Sequence, residues 1–319
     1  MIYTLALNPA IDRTFWVEKL DFEETTRVQK ECRYPGGKGI DVSRVLTNLG
    51  APNTALGFIG GFVGDELECR LTSEGVRSDF IHISGETRTN IIVHEEETGR
   101  HVLLTASGPE IAPYEIGALF RKIDGLKDIS ILAIGGSLPP GVHPETYRRI
   151  IAGVRARGAI TLLDADGDAL RVGIQGGPDY IKPNRRELSQ LVGRELNELA
   201  DVVEAAEWVR SQGVGAVLVS MGADGIVLVK DDGIYLAIPP KVEVVNTVGV
   251  GDSAVAGFLY GLATGLDLKE CLTHATAAGT ATTLKPGTAR ANRKDILDMV
   301  PRVRFEDISR SGDQWKGLK

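Results

Sequence analysis

Residues 246–253 read Asn246-Thr247-Val248-Gly249-Val250-Gly251-Asp252-Ser253, a glycine-flanked turn that runs into a helix of small residues. Two glycines let the backbone come close to whatever binds there, and the free N–H groups of the helix start point at the same spot. Together these features hold an anion. A carboxylate in such a cradle repels a bound phosphate, so Asp252 reads as a base beside a transferring phosphoryl group. The competing reading is that Asp252 caps the helix, since Asp is a favoured capping residue. The stretch alone leaves both open.

It is one of three glycine-containing polar clusters that fall at the carboxyl ends of expected strands, with Gly36-Gly37-Lys38-Gly39 and Gly135-Gly136-Ser137. Short apolar runs at 2–7, 54–59, 129–134, 160–163, 180–182 and 216–220 read as buried parallel strands. Amphipathic stretches at 41–49, 144–155, 187–192 and 202–211 alternate with them as helices. Repeated βα units predict an α/β fold: a Rossmann-like, mostly parallel sheet flanked by helices, with its ligand site at the carboxyl ends of the strands. Two regions break the rhythm. Residues 14–17 with 27–34, and 90–93 with 101–105, alternate in period two and predict antiparallel strands of a small sheet, a lid over the site or a pairing surface for another subunit. A second hairpin is expected at 225–238 around Asp231-Asp232-Gly233. The stretch from 302 to 319 is polar and without apolar periodicity, and reads as a surface tail with Trp315 as its one anchor.

Bulk properties narrow the class. With 319 residues and a net charge of −7, the chain lacks the basic footprint that nucleic-acid binding needs. Cys32, Cys69 and Cys271 are scattered and odd in number, which argues against a disulfide framework and for the cytoplasm. No signal peptide and no bilayer-spanning run are expected.

Single motifs carry weak signals. Gly36-Gly37-Lys38-Gly39 precedes a helix and could meet an anion, but it is not a P-loop, and no dinucleotide fingerprint opens the first βα unit. Asp12 follows the first strand, where a carboxylate accepts hydrogen bonds from sugar hydroxyls or simply shapes a turn. Arg88 opens a lid strand and suits phosphate, though surface arginines are common. Asn184 and Glu187 fit a capping box as well as water-mediated ligation of a magnesium–nucleotide complex. Ser220, Gly222 and Gly225 form a tight loop where an adenine nucleotide could lie.

The order of these motifs is more specific. Asn8-Pro9-Ala10-Ile11-Asp12, Gly36-Gly37-Lys38-Gly39, Gly61-Phe62-Val63-Gly64-Asp65, Thr87-Arg88-Thr89-Asn90, Gly136-Ser137-Leu138-Pro139-Pro140-Gly141, Lys182-Pro183-Asn184-Arg185-Arg186-Glu187 and Thr247-Val248-Gly249-Val250-Gly251-Asp252 resemble the PfkB (ribokinase-like) carbohydrate kinase family from Asn8 to about Thr288. Within it they are most similar to the 1-phosphofructokinase and tagatose-6-phosphate kinase branch. The resemblance implies one kinase domain over 1–301, with lid strands within about 13–35 and 87–105, and a C-terminal tail over 302–319. It implies Asp252 as base and the backbone of Gly249, Val250, Gly251 and Asp252 as anion hole. Asp12, Gly37, Lys38, Asp41, Asn90 and Ser137 would meet the sugar, and Arg88 with Arg27 a phosphate already on it. Lys182, Asn184, Ser220, Gly222 and Gly225 would bind ATP, and Glu187 would organise Mg2+. A homodimer through the lid strands follows from family habit.

Three departures qualify this picture. Val250 stands where the family has alanine. Leu284-Lys285-Pro286-Gly287-Thr288 replaces the branch's Leu-Asn-Gln-Gly-Thr. Asp41 replaces an asparagine that both donates to and accepts from sugar hydroxyls, and a carboxylate there repels a phosphosugar unless Lys38 or an arginine offsets it. The leading expectation is an ATP-dependent kinase for a ketohexose phosphate (fructose 1-phosphate, tagatose 6-phosphate or fructose 6-phosphate). A kinase for an unphosphorylated sugar, polyol or nucleoside is the alternative that Asp41 favours, and a non-catalytic sugar-phosphate sensor ranks below both.

Overall fold

The apolar run Ile2–Ala6 forms β1, covered on both faces as strands of a parallel sheet are. A computed structural model describes residues 1–286 and 289–309. After β1 the chain leaves for a smaller sheet, β2 (Ala10–Val17) and β3 (Lys30–Gly36), then re-enters through α1 (Lys38–Leu49) and β4 (Asn53–Ile59). Helix α2 (Gly61–Ser73) and the short strands β5 (Arg77–Ser78) and β6 (Ile81–His82) follow. The chain departs again into β7 (Arg88–Glu95) and β8 (His101–Leu104). Alternation then resumes with α3 (Pro113–Gly125), β9 (Ile131–Gly135), α4 (Glu145–Arg155), β10 (Ile160–Asp164), α5 (Gly167–Gly173), β11 (Tyr180–Ile181) and α6 (Arg185–Val192). Next come α7 (Leu199–Ser211), β12 (Ala216–Ser220), β13 (Ile226–Lys230) and β14 (Gly233–Ile238). The last described elements are α8 (Val250–Thr264), α9 (Leu268–Thr283), α10 (Arg293–Met299) and β15 (Arg304–Asp307).

The main sheet runs β15-β14-β13-β12-β11-β10-β9-β1-β4-β5, with β6 alongside β4. It is parallel from β12 to β5, and β13, β14 and β15 add antiparallel strands at one edge. Because side chains alternate across a strand, neighbours serve opposite cores. Leu162 packs with α1, α8 and α9 on one face, and Leu163 with α3, α4 and α7 on the other. The expected α/β architecture with helices on both faces is therefore the observed one. Helix α8 is buried from residue 252 to 259, and its small residues, such as Gly257 and Gly261, let α9 lie close against it.

One local expectation is corrected and another is completed. The small sheet has the order β3-β2-β7-β8; its hairpins β2–β3 and β7–β8 are antiparallel as expected, and they join through a parallel β2–β7 pair. Both strands leave the carboxyl edge of the main sheet in the same direction, which period-two alternation does not reveal. The stretch expected as a featureless tail begins with a strand: β15 pairs with β14, and Phe305 stacks on Tyr235 with ring centroids 5.9 Å apart. Four residues with a single aromatic carry too little pattern to announce this. Trp315, Gly287 and Thr288 lie outside the described residues. Among the described residues no helix is long and apolar enough to cross a membrane.

Candidate active site

The carboxyl edge of the main sheet and the near end of the small sheet bring together most of the groups singled out in the sequence. Gly249 takes a left-handed conformation (φ 73°) and is itself the N-cap of α8. Asp252 sits in the first helical turn, makes no capping hydrogen bond, and is only 9% exposed. The capping alternative is thus not how the structure uses this carboxylate. Burial pushes its pKa up to about 7, helped by the negative charges of Asp41 and Asp164 and opposed by Lys38 and Arg290.

Beside the turn lies a buried triad. Asp164, at the end of β10, takes Lys38 Nζ at 2.8 Å on one oxygen and Lys182 Nζ at 3.1 Å on the other. Burial opposes the carboxylate, but Lys182 and Lys38 outweigh it and hold Asp164 below its usual range. Burial likewise opposes the Lys38 charge, and Asp164 and Glu187 raise its pKa nonetheless. A Cβ on Gly251 would lie 3.3 Å from Lys182 Nζ, so an ammonium flanks the start of α8. Lys38, expected beside the sugar with Asp12, is drawn instead toward Asp164 and, at 3.6 Å, Glu187.

Across the site, the parallel register of β2 and β7 sets Asp12 opposite Asn90, and Asn90 Nδ2 donates to Asp12 Oδ1 at 2.8 Å. Only glycine fits at position 36, because a Cβ there would collide with the Asp12 carboxylate. Burial, then Asp41, raises Asp12 to about 6, against the pull of Asn90, Arg290 and Arg88. Asn8 Nδ2 donates to Ser137 Oγ at 3.3 Å and to the Ser107 carbonyl at 2.9 Å, tying the first strand's loop to the one after β9. Gly37 caps α1. Arg88 stands near Asp12 and donates to the carbonyls of Asn8 (3.1 Å) and Ala106 (2.7 Å). Arg27 is exposed in the loop before β3, at the lid end remote from Asp12, and does not join this group.

Asp41 lies buried at the site wall between two arginines. Its Oδ1 receives Arg44 Nη1 at 3.1 Å and Arg290 Nη2 at 2.8 Å. Arg44 in turn pairs with Glu74 through Nε (2.6 Å) and Nη2 (2.9 Å). The offsetting charge that Asp41 called for is therefore present, supplied by arginines and not by Lys38. Arg44, Arg290 and Asp164 were not read from the sequence. Asp164 had a usable signal, a carboxylate at a strand's carboxyl end, the same argument that selected Asp12. Arg290 had none beyond the need for a cation.

At the start of α6, Asn184 and Glu187 form a capping box: Glu187 N–H donates to Asn184 Oδ1 and Asn184 N–H to Glu187 Oε2, both at 2.8 Å. Glu187 keeps its other oxygen toward Lys38. Asn184 bridges to Ser220 at the end of β12, and Met221 N–H donates to the Gly225 carbonyl across the tight turn holding Gly222. Among the described residues no cluster of three or more acidic, histidine or cysteine side chains could cage a metal. A cavity of about 590 Å3 opens at the opposite, amino-terminal edge of the sheet, beside Met1, Leu49 and Tyr260, and contains none of these groups.

Comparison with known proteins identifies the family. The model of the pfkB family carbohydrate kinases matches residues 5–295. A 1-phosphofructokinase of Borreliella burgdorferi is 35% identical over 97% of this chain and 99% of its own, and one of Escherichia coli is 33% identical over the same shares. Crystal structures of phosphofructokinase-2 from Escherichia coli, in complex with potassium or with fructose-6-phosphate, superpose with TM-scores of 0.90 and 0.88 at 34% and 32% identity, covering 94% of this chain and 98% of theirs. Ribokinase from Thermotoga maritima, 22% identical over 94% of this chain and 99% of its own, shares the fold with a TM-score of 0.78. The chain belongs to the pfkB family of carbohydrate kinases.

Proposed function

We propose that the protein moves the γ-phosphoryl group of ATP to the free terminal hydroxyl of a ketohexose phosphate, with fructose 1-phosphate as the preferred acceptor. The observation that carries this reading is the buried carboxylate of Asp252 inside a positive-φ glycine turn with Lys182 alongside. Asp252 takes the proton of the attacking hydroxyl, whose oxygen bonds to the γ-phosphorus as the bond to ADP breaks. The N–H groups of Gly249, Val250, Gly251 and Asp252 stabilise the charge on the transferring oxygens. Asp12, held by Asn90, accepts hydrogen bonds from sugar hydroxyls, with Gly37 and Ser137 completing the pocket. Arg88 offers its remaining N–H groups to the phosphate already on the sugar.

Lys182 and Lys38, fixed by Asp164, face the nucleotide phosphates, and Asn184, Ser220, Gly222 and Gly225 line the nucleotide pocket. Magnesium, when bound, neutralises the phosphates and orients them; Glu187 suits a site made mostly of phosphate and water oxygens. The two arginines on Asp41 remove the repulsion that had favoured an unphosphorylated acceptor. The names of the curated relatives favour fructose 1-phosphate among the phosphosugars. The proposal includes a homodimer through the lid, supported by the exposed Val102, Leu103 and Leu104 on edge strand β8. Three free cysteines support a cytoplasmic setting.

Asp252→Asn tests the base. Turnover of fructose 1-phosphate should fall about 1,000-fold while sugar binding, measured by calorimetry, persists. Activity within tenfold of wild type would remove Asp252 from the role.

A further inference from the structure

Arg290 lies in the loop between α9 and α10, far along the chain from the sugar site, yet its side chain is only 2% exposed and touches both halves of the centre. Its Nη2 is 2.8 Å from Asp41 Oδ1, and its Nη1 donates to the Val248 carbonyl at 3.4 Å. A Cβ on Gly249 would collide with the guanidinium, so the cation rests against the bare backbone of the glycine turn. The Val248 carbonyl belongs to the same peptide unit as the Gly249 N–H. A charged donor on that carbonyl polarises the unit and strengthens its N–H toward an anion. Asp41 is fixed from behind by Arg44, and Arg44 by the part-exposed Glu74, so a chain of ion pairs runs from the surface to the turn.

We propose that Arg290 is a positioning residue for phosphoryl transfer and Asp41 its anchor, the pair seating the Gly249 turn and balancing the charge around Asp252. This rests on Asp252 being the base. The ionisable groups facing Asp252 are Asp41 and Lys38 from α1, Asp164 from β10, Lys182 beyond β11, and Arg290. Of these, Lys38 and Lys182 are already engaged by Asp164, and Arg290 is the cation that pairs with Asp41, which Arg44 also holds from its other side. The inference also accounts for aspartate at position 41. A neutral asparagine would remove the carboxylate that the guanidinium meets at 2.8 Å, and breaking a buried ion pair is costly.

The test is the acid limb of the kcat/KM profile with fructose 1-phosphate, measured in Arg290→Met, Asp41→Asn, the double variant and Arg290→Lys. Titration of the substrate is common to all of them and cancels in the comparison. Losing the cation should move the limb up by about one pH unit, and losing the anion should move it down by a similar amount. The double variant should return close to wild type. Arg290→Lys should leave the limb in place but lower kcat, because an ammonium cannot span Asp41 and the Val248 carbonyl as a guanidinium does. Asp41→Asn and Arg290→Lys carry the test alone if Arg290→Met does not accumulate as folded protein. Limbs that stay fixed while rates fall would reduce the pair to a structural role and overturn the proposal. So would a raised KM for the sugar phosphate in Asp41→Asn with no shift of the limb, which would make Asp41 a sugar ligand. If Asp252→Asn keeps its activity, the assignment of the base fails; if it is inactive and the limbs do not move, only the role of Arg290 fails.

Discussion

At the scale of single residues, the base role proposed for Asp252 sets two demands in conflict. A base must be ionised to accept a proton, yet burial favours its protonated form and sets its pKa near 7. The kcat/KM of the wild-type enzyme should therefore fall as pH drops through about 7. A profile flat down to pH 5 would contradict the environment described for Asp252. The same conflict has a stability side. A carboxyl whose folded pKa exceeds its unfolded value destabilises the fold once pH rises above the unfolded value, and fully so above the folded one. Asp252→Asn should thus raise Tm at pH 8 by a few degrees, on the order of 1–3 kcal/mol, and the gain should shrink as pH is lowered toward 4. A variant less stable than wild type at pH 8 would argue against the penalty. Asp252 itself was legible in the sequence because its turn and helix are contiguous. Asp164 carried a signal as a carboxylate at the end of β10, but its nearness to Asp252, like that of Arg290 from the loop before α10, comes only from the fold.

At the scale of elements, the turn before α8 depends on a backbone conformation. Gly249→Ala would place a methyl group in the left-handed region and against the Arg290 guanidinium. A fall in kcat of at least about tenfold with little change in overall melting is expected; a fully active alanine variant would deny the turn its role. The lid makes a separate claim. Its edge strand β8 presents Val102, Leu103 and Leu104 to solvent, and Leu103→Glu with Leu104→Lys should convert a dimer to monomer in sedimentation analysis. A wild-type protein that sediments as a monomer would rule out the lid interface. Period-two alternation was enough to locate the lid strands. The parallel pairing of β2 with β7, which sets Asn90 against Asp12, was hidden because pairing direction depends on where each strand leaves the main sheet. For β15 the obstacle was length, four residues with one aromatic against a polar background.

At the scale of the molecule, the alternation of buried runs with amphipathic helices made the doubly covered parallel sheet readable, since strands buried on both faces have few other homes. The same frame places the glycine turn before α8, the small sheet and the ion-pair chain from Glu74 to Arg290 at one edge of the main sheet. What the sequence left open was the balance of charge at that edge. Asp41 pointed toward an unphosphorylated acceptor only as long as Arg44 and Arg290 were out of view. The central claim is that this assembly phosphorylates a sugar that already carries a phosphate. It is tested most directly by a coupled ATP-consumption assay across fructose 1-phosphate, fructose 6-phosphate, tagatose 6-phosphate, fructose, ribose and inositol. The highest kcat/KM is predicted for fructose 1-phosphate, with one ADP formed per fructose 1,6-bisphosphate, and turnover confined to the unphosphorylated compounds would contradict the account.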